Sequence, residues 1–358
     1  MSKPTTTSPP PPPPSAPAAS SSAKLPLGLD TLLSAVRRSP VTTLVAAFFL
    51  LALFIFDARR FMEAMRGKRM MFVGDSLNRN QWESLVCLVQ PILSKGRKKI
   101  VKRGSFNIFY AKEYRATLEF YWAPFLVESN SDNPNFHSID QRIIRPERIE
   151  GHAKHWKDVD YLIFNTYIWW MNTENMKVRR PDSRSWSEHD EVPRMEAYGR
   201  VFKTWSEWLE HNIDPAKTSV FFMTISPIHI SPAQWGNPNG IRCVKETLPV
   251  NYTQPVDLNH DMRMYDLVAN VAKNMKKVPV SLIDITRMSD YRKDAHTSLY
   301  SIRQGKLLTP KQKADPQKYA DCIHWCLPGV PDVWNQILYT RILSKSSSPS
   351  PHPSLPPQ

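Results

Sequence analysis

Short apolar runs recur along the chain and alternate with helical patterns, and this alternation limits the folds open to it. Strand-like runs occur at 70–74, 116–127 (broken by Pro124), 160–168, 219–225 and 280–285. Helical patterns occur at 61–69, 78–89, 196–213, 261–277 and 332–343. Strands alternating with helices predict an α/β domain in which helices cover both faces of a mostly parallel sheet.

The two ends of the chain differ from this pattern in composition. Residues 1–40 are rich in Pro, Ser, Thr and Ala and include an unbroken proline run from Pro9 to Pro14, and 344–358 are similar. Such segments contain too little apolar surface to form a core, so both are predicted to be disordered. The globular domain is therefore predicted at 57–343.

Residues 41–56 form a sixteen-residue uncharged and mostly apolar segment. A membrane span needs about 17–25 such residues, so this one is short. Its charged flanks and the tail before it favour a single membrane anchor over a buried helix. A cleaved signal peptide is disfavoured because about 40 residues precede the segment and no Ala-x-Ala site follows it.

The orientation of such an anchor follows from competing signals. Arg59, Arg60 and Arg66 follow the span, and the positive-inside rule would leave the domain in the cytosol. A glycosylation sequon at Asn251 and an even number of cysteines, four, indicate a luminal domain instead. Long domains are translocated largely regardless of charge, so the luminal orientation is predicted.

Positive charge dominates the sequence, with a net charge of +14 and a pI near 9.6. Basic residues cluster at 95–103, 142–154 and 177–184. Two interpretations stay open: solvated loops, or a surface for an acidic polymer or an anionic donor. No nucleic-acid-binding module is visible, so nucleic acid is not expected as a partner.

The apolar run at 70–73 ends in Gly74-Asp75-Ser76 and is followed by a helical pattern. One interpretation is a turn in which Ser76 caps the helix. The other is a nucleophilic serine at a helix N-terminus, where backbone N–H groups can stabilise an oxyanion.

A second short motif near the C-terminus complements this serine. In Asp321-Cys322-Ile323-His324, the histidine can act as general base while Asp321 orients its ring. Cys322 and Cys326 flank His324, so a zinc site is an alternative, although disulfides suit a secretory compartment better. Together the two motifs predict Ser-His-Asp acyl chemistry at Ser76.

Further candidates follow the other strand-like runs. Asn165 ends one run and is either a second oxyanion donor or a turn asparagine. Trp169 and Trp170 are either core residues or a platform for a sugar ring. Because ligands bind at the carboxyl ends of parallel strands, Ser76, Asn165 and Ser226 are expected at one edge of the sheet.

Several longer blocks resemble the plant trichome-birefringence-like (PC-esterase) family, and most of all its eskimo-type xylan O-acetyltransferases. The blocks lie at 72–84, 120–130, 164–171, 291–298 and 320–329, and the resemblance extends over about 61–343. It implies an SGNH-like (GDSL-type) α/β fold and a single-pass type II Golgi membrane protein. It also implies acetyl transfer to polysaccharide hydroxyls through an acetyl-serine.

The resemblance assigns roles to individual residues. Ser76 becomes the nucleophile, with His324 and Asp321 completing the triad. Asn165 takes the position of the oxyanion asparagine of related hydrolases. The remaining positions fall in the family's cleft, where they would help to hold the oxyanion, the donor or the sugar: Gly74, Arg79, Tyr291, Arg292, Asp294 and His296.

One departure from the family is expected to affect the disulfides. Family members carry a cysteine-rich segment between the apolar stem and the Gly-Asp-Ser block. Here that segment is absent, because residues 57–61, directly after Phe56, already lead into the domain. A splice form or an incomplete gene model would account for this. The resemblance then implies a bond between Cys243 and Cys322, with Cys87 and Cys326 either unpaired or joined together, and a cleft that lacks part of its wall.

The predicted function is O-acetyl transfer to the 2-OH or 3-OH of xylosyl residues in xylan or a related hemicellulose. No bound cofactor is expected, and an acetyl donor, with acetyl-CoA as one candidate, serves as cosubstrate. Other Golgi xylan-synthesis proteins are expected partners. Two alternatives are a polysaccharide acetyl esterase, which would use the same triad, and a truncated inactive form that binds glycans.

Overall fold

The computed structural model describes residues 56–137, 141–251, 260–303 and 305–346. The predicted disordered tail at 1–40 and nearly all of the predicted anchor at 41–56 lie outside these residues. None of the helices within the described ranges is long and apolar enough to cross a membrane.

A seven-stranded sheet forms the centre of the domain. Its strands are β1 (Arg69–Gly74), β2 (Lys98–Arg103), β3 (Phe106–Ala111), β4 (Ala116–Trp122), β7 (Tyr161–Asn165), β10 (Ser219–Met223) and β11 (Val280–Ile283). Their spatial order is β11-β10-β7-β1-β4-β3-β2. The first five strands in this order pair in parallel, and β3 and β2 are added antiparallel at one edge. The mostly parallel sheet that the sequence predicted is therefore present.

Helices cover both faces of this sheet. The helices are α1 (Ala58–Ala64), α2 (Ser76–Val89), α3 (Glu150–Ala153), α4 (Arg194–Asn212), α5 (Met262–Asn274), α6 (Thr286–Asp290), α7 (Pro310–Lys313), α8 (Pro316–Tyr319) and α9 (Val330–Ser346). On one face, Trp82 of α2 contacts Phe120 of β4. On the other, Trp205 of α4 contacts the rings of Phe164 and Phe222. Adjacent strand residues point to opposite faces, so each strand contributes to both layers.

Smaller sheets, which the sequence did not predict, surround the central one. Their strands are β5 (Glu128–Ser129), β6 (Ile143–Arg145), β8 (Asn175–Arg179), β9 (His189–Pro193), β12 (His296–Ser298), β13 (Ile302–Arg303), β14 (Lys306–Leu307) and β15 (Asp321–Trp325). They form one four-stranded sheet, β5-β6-β8-β9, and the pairs β12-β15 and β13-β14.

The basic stretch at 95–103 corrects one interpretation of the sequence. Its residues from Lys98 onward form the edge strand β2 rather than a solvated loop. Lys99, Lys102 and Arg103 are exposed along it. Charged side chains on an edge strand hinder pairing with other chains, which explains why a strand can carry so many cations.

The sheet register determines which residues can share a site. Gly74, the last residue of β1, pairs with Trp122 of β4 and with Asn165 of β7. All three strands run in parallel, so their carboxyl ends meet at one edge. Ser76 lies two residues after the end of β1, and Asn165 is the last residue of β7. The prediction of a common edge is therefore confirmed for these two residues.

Trp205 offers a test of how strongly the aromatic layer holds the fold. It is fully buried against Phe164, Phe202 and Phe222. Trp205→Ala should lower the free energy of unfolding by about 3–5 kcal/mol, because it removes a large side chain that its neighbours cannot replace. Urea unfolding followed by circular dichroism measures this change. Phe136→Ala, at a side chain that is 74% exposed, should change the free energy of unfolding by less than about 0.5 kcal/mol. Equal losses in the two variants would contradict the conclusion that the aromatic layer around Trp205 stabilises the fold.

Candidate active site

The turn after β1 places Ser76 at the start of α2. Asp75 is the N-cap, and its carboxylate accepts a hydrogen bond from the Leu77 N–H at 2.8 Å. The cap is therefore Asp75 rather than Ser76, and the Ser76 hydroxyl remains available for other contacts. A side chain on Gly74 would lie 2.1 Å from the carbonyl oxygen of Asn165, so only glycine permits this close approach of β1 and β7.

His324 and Asp321 lie on the short strand β15, and His324 contacts Ser76 directly. The Nε2 atom of His324 is 2.7 Å from the Oγ atom of Ser76. On the other side of the ring, Nδ1 is 2.9 Å from the Oδ2 atom of Asp321. A carboxylate only accepts hydrogen bonds, so Nδ1 carries the proton and Nε2 is free to accept the proton of the serine. The three residues thus have the arrangement of a Ser-His-Asp triad.

Asp321 is ionised in this arrangement. Burial on its own would raise its pKa, but hydrogen bonds from the His324 ring and the attraction of His324 outweigh that effect. The backbone N–H groups of Ile323 and His324 also donate to its Oδ1 atom, at 3.1 and 3.0 Å. The pKa of Asp321 is lowered to about 2 as a result. The carboxylate can therefore orient the imidazole and stabilise the imidazolium across the physiological pH range.

Asp75 lies close by, but its environment raises its pKa instead of lowering it. Its side chain is fully buried, and burial raises its pKa to about 6. The Leu77 N–H and the nearby His324 offset this rise only in part. Asp75 therefore serves as a helix cap whose charge is costly to bury.

Asn165 does not present its amide to Ser76, which corrects its predicted role as an oxyanion donor. Its Nδ2 atom donates to the carbonyl oxygens of Met223 and Thr224, both at 3.1 Å. These two bonds use both amide hydrogens, and Asn165 instead links the carboxyl ends of β7 and β10. A donor beside the nucleophile is the Ser76 N–H, in the first turn of α2 where N–H groups have no intrahelical acceptor.

The tryptophans after β7 belong to the core. Trp170 is fully buried and donates its indole N–H to the Thr166 hydroxyl at 2.8 Å. Trp169 is 7% exposed, and the Arg142 guanidinium lies 3.9 Å from the centre of its ring. The sugar-platform interpretation is wrong for both, because neither offers an open ring face.

Of three predicted cleft residues, Arg79 lies on the helix of Ser76, whereas Arg292 and Tyr291 lie in the segment after α6. Arg79 follows Ser76 by one turn of α2 and pairs with Glu83 at 3.7 Å on an exposed surface. Arg292 makes a two-pronged pair with Asp294, at 3.0 and 3.1 Å, so its guanidinium already has a carboxylate partner. Tyr291 follows α6 as its C-cap, and its carbonyl oxygen accepts the N–H of Val250 at 2.7 Å.

His296 lies behind the triad rather than in an open cleft, contrary to the prediction that it contacts donor or sugar. It is 5% exposed and stacks on Trp325 with ring centres 4.0 Å apart. Its Nε2 atom is 2.7 Å from Nδ1 of His229. His296 also pairs with Trp325 through the β12–β15 ladder, so it supports the strand that carries His324.

The cysteines follow the pairing that the resemblance implied. Cys243 and Cys322 form a disulfide across 79 residues and join a long loop to β15. Cys87 and Cys326 are both free and exposed. No group of three or more potential metal-ligating side chains occurs in the described ranges, so the zinc interpretation gains no support there. Asn251 is exposed, while the rest of its sequon lies outside the described residues.

Sequence reasoning missed the residue that joins the helix of Ser76 to the strand of His324. Asn80, buried one turn after Ser76, accepts the Trp325 N–H at 2.8 Å and donates to the Trp325 carbonyl oxygen at 3.2 Å. The indole N–H of Trp325 in turn donates to the Ser226 hydroxyl at 2.9 Å. Asn80 stands inside the block at 72–84, but nothing in its local sequence indicates a partner 245 residues away.

Ser76 and His324 lie at a partly open surface. The His324 side chain is 33% exposed, whereas that of Asp321 is 16% exposed. Three depressions of about 890, 740 and 710 Å³ lie elsewhere: between α4 and α5, over the outer face of β2–β4, and at the amino ends of β7 and β10. Their walls contain none of the triad residues.

Comparisons with known proteins agree on one family. A family profile described as PC-esterase, a GDSL/SGNH-like acyl-esterase family found in Pmr5 and Cas1p, matches residues 53–341. Two relatives from Oryza sativa subsp. japonica, xylan O-acetyltransferases 4 and 3, are each 90% identical over 304 residues, or 85% of this chain. Protein trichome birefringence-like 3 from Arabidopsis thaliana is 45% identical over 288 residues, or 80% of this chain. The matched regions span 64%, 67% and 66% of the lengths of these three relatives.

The buried carboxylate of Asp75 should make stability depend on pH. Because its folded pKa, about 6, lies above the unfolded value near 3.9, ionising it costs stability as pH rises between these values. Asp75→Asn keeps a good N-cap but removes the charge. The free energy of unfolding of the variant relative to the original should therefore increase by about 2–3 kcal/mol between pH 4 and pH 8. Urea unfolding at both pH values measures this, and a difference that does not vary with pH would contradict it.

Asn80 should control the reactivity of Ser76 through geometry. Asn80→Ala removes both bonds to Trp325, and the misplacement of His324 relative to Ser76 should slow serine labelling by a fluorophosphonate reagent about 100-fold. Asn335→Ala is the matched control, because Asn335 is equally buried and bonds α2 at Gln81 and Ser84, away from the triad. If both variants lost stability and labelling to the same extent, Asn80 would be a structural residue only.

Proposed function

The chain belongs to the PC-esterase family of GDSL/SGNH-like acyl-esterases, and from this membership and the site geometry we propose that it is a xylan O-acetyltransferase with Ser76 as acetyl carrier. Two rice relatives that are 90% identical over most of this chain are named xylan O-acetyltransferases. The chain spans about two thirds of their length, so their whole activity is transferred here as part of the proposal.

The observation that carries the proposal is the continuous line of contacts from Ser76 through His324 to Asp321. Its distances are 2.7 Å from the serine oxygen to Nε2 and 2.9 Å from Nδ1 to the carboxylate. A hydroxyl is a weak nucleophile on its own, and an adjacent base with an orienting carboxylate is the arrangement that activates it. Asp321 is largely buried and His324 is partly exposed, which supports a substrate approach from the His324 side.

In the first half of the reaction, Ser76 takes the acetyl group from the donor. Nε2 of His324 accepts the Ser76 proton while Oγ forms a bond to the acetyl carbonyl carbon. The Ser76 N–H stabilises the tetrahedral oxyanion. The bond to the donor's leaving group then breaks, and the leaving group receives the proton from His324.

In the second half, a xylosyl 2-OH or 3-OH replaces the donor. Nε2 of His324 accepts the proton of this hydroxyl as its oxygen attacks the acetyl-serine carbonyl. The bond between the acetyl carbon and Ser76 Oγ breaks, and Ser76 regains the proton from His324. Each proton taken is returned, so the triad is restored with one acetyl group moved.

The surroundings belong to the same proposal. We propose that the fold is SGNH-like and that residues 41–56 form a single-pass anchor in the Golgi membrane. The domain would then be luminal, with a glycan at Asn251, as in a secretory-pathway enzyme. The disulfide between Cys243 and Cys322 suits an oxidising compartment. Acetyl-CoA is one candidate donor, and other Golgi xylan-synthesis proteins are candidate partners.

Acetyl esterase activity is the second candidate, and the exposure of the site favours it. His324 is 33% exposed, so water can reach an acyl-serine unless the acceptor excludes it. Hydrolysis and transfer share the first half-reaction and differ only in the attacking hydroxyl. The ratio of released acetate to acetylated xylo-oligosaccharide distinguishes the two activities.

The proposal is tested by mass spectrometry of the protein after incubation with an acetyl donor. An acetyl group is expected on the peptide that contains Ser76, and xylo-oligosaccharide should remove it. Ser76→Ala should abolish acetylation and lower transfer by at least about 10⁴-fold, because it removes the hydroxyl that His324 activates. Transfer near the original rate in this variant would refute the assignment of the nucleophile.

A further inference from the structure

Arg142 is a half-buried cation that has no anionic partner among the residues that the structure describes. Its guanidinium lies over the Trp169 ring at 3.9 Å, and its Nε atom is buried without a hydrogen-bond acceptor. No hydrogen bond or ion pair of its terminal nitrogens occurs in the part of the chain that the structure describes. Burial lowers the pKa of this guanidinium, which reflects the cost of removing it from water.

Three other partly buried arginines in the described domain are each compensated by a carboxylate. Arg145 pairs with Glu128 at 3.2 Å, Arg194 with Asp261 at 2.8 Å, and Arg69 with Glu119 at 2.9 Å. Arginine carries its charge at every physiological pH, so an unpaired one cannot lower this cost by losing a proton. A cation–π contact offsets part of the cost but leaves the donors of the planar fork without acceptors.

The position of Arg142 connects it to the edge of the sheet that carries Ser76. Trp169 follows β7 and contacts the Trp122 ring, with centres 5.3 Å apart. Trp122 ends β4 and pairs in register with Gly74, two residues before Ser76. Arg142 is partly exposed, so its side chain is not sealed off from solvent.

We propose that Arg142, held flat against Trp169, binds an anionic oxygen group of a ligand that occupies the catalytic edge of the sheet. The planar fork suits two oxygens of one carboxylate or phosphate. This inference rests on the proposed function for the identity of the ligand. A carboxylate would come from a uronic acid carried by the acceptor glycan, and a phosphate from an acetyl donor such as acetyl-CoA.

Binding measurements on the full-length protein test the proposal independently of catalysis. The probes are a xylo-oligosaccharide with one glucuronic acid, the same oligosaccharide without it, coenzyme A, and pantetheine, which lacks the phosphates. The variants are Arg142→Gln, which removes the charge, and Arg142→Lys, which keeps the charge but loses the fork. Arg179→Gln is the matched control, because Arg179 also lies over a tryptophan, Trp186 at 5.0 Å, but already donates to the Ser183 carbonyl oxygen.

Arg142→Gln should weaken binding of one anionic probe at least about tenfold, the loss expected for a charge-assisted hydrogen bond, without changing its neutral counterpart. Arg142→Lys should give a smaller loss, and Arg179→Gln none. A loss confined to the glucuronic acid probe identifies the acceptor as the source, and a loss confined to coenzyme A identifies the donor. The proposal is overturned if the original protein prefers neither anionic probe, or if Arg142→Gln weakens charged and neutral probes equally.

Acetylation of Ser76 by p-nitrophenyl acetate, an uncharged donor, separates this inference from the proposed function. The control variant Arg179→Gln should acetylate at the original rate, and cooperative urea unfolding of Arg142→Gln checks that this variant is folded. If the original protein failed to form acetyl-Ser76, the proposed function would be wrong, whereas the binding results would still decide the role of Arg142.

Discussion

The hydrogen bond between Ser76 and His324 is the contact on which the rest of the site depends, because it joins residues 248 positions apart. Each of the two residues has to be positioned by the part of the fold that carries it. Ser76 is placed by the end of β1 and the cap of α2, and His324 by the β12–β15 ladder. Asn80 then ties the two supports together at Trp325. The geometry of the chemistry is therefore a property of how the first and last parts of the domain pack.

The pKa values of two buried carboxylates in this assembly are shifted in opposite directions. Asp75 and Asp321 are each largely removed from water, yet burial raises the pKa of one while hydrogen bonds lower the pKa of the other. The difference lies in the donors, since Asp321 receives the His324 ring and two backbone N–H groups. Asp321 can thus hold a charge that the reaction uses, whereas Asp75 serves the fold at some cost.

The sequence predicted those features that depend on local pattern. Short continuous apolar runs and helices of period 3.6 identify β1, α2, β7, α4 and β10, and the parallel order then places Ser76 and Asn165 at one edge. The family of the two motifs was also predictable and is confirmed by the matched profile. The directions in which individual side chains point could not be predicted from the sequence. Asn165 turns its amide to β10, and His296 packs behind Trp325, because of partners that are remote in sequence.

Whether such a triad transfers or hydrolyses depends on which hydroxyl reaches the acetyl-serine first. The triad geometry is the same for both outcomes, so selectivity must come from the residence of the acceptor at the open edge of the sheet. Water is present at about 55 M, and an acceptor competes only if binding raises its effective concentration beside Ser76 far above that of the free sugar. A charged contact away from the reacting carbon, such as the one proposed for Arg142, supplies this without altering the chemistry. If the anion that Arg142 binds belongs to the acceptor, the contact would retain the glycan through the acyl-enzyme step, and a partly exposed serine could then act as a transferase.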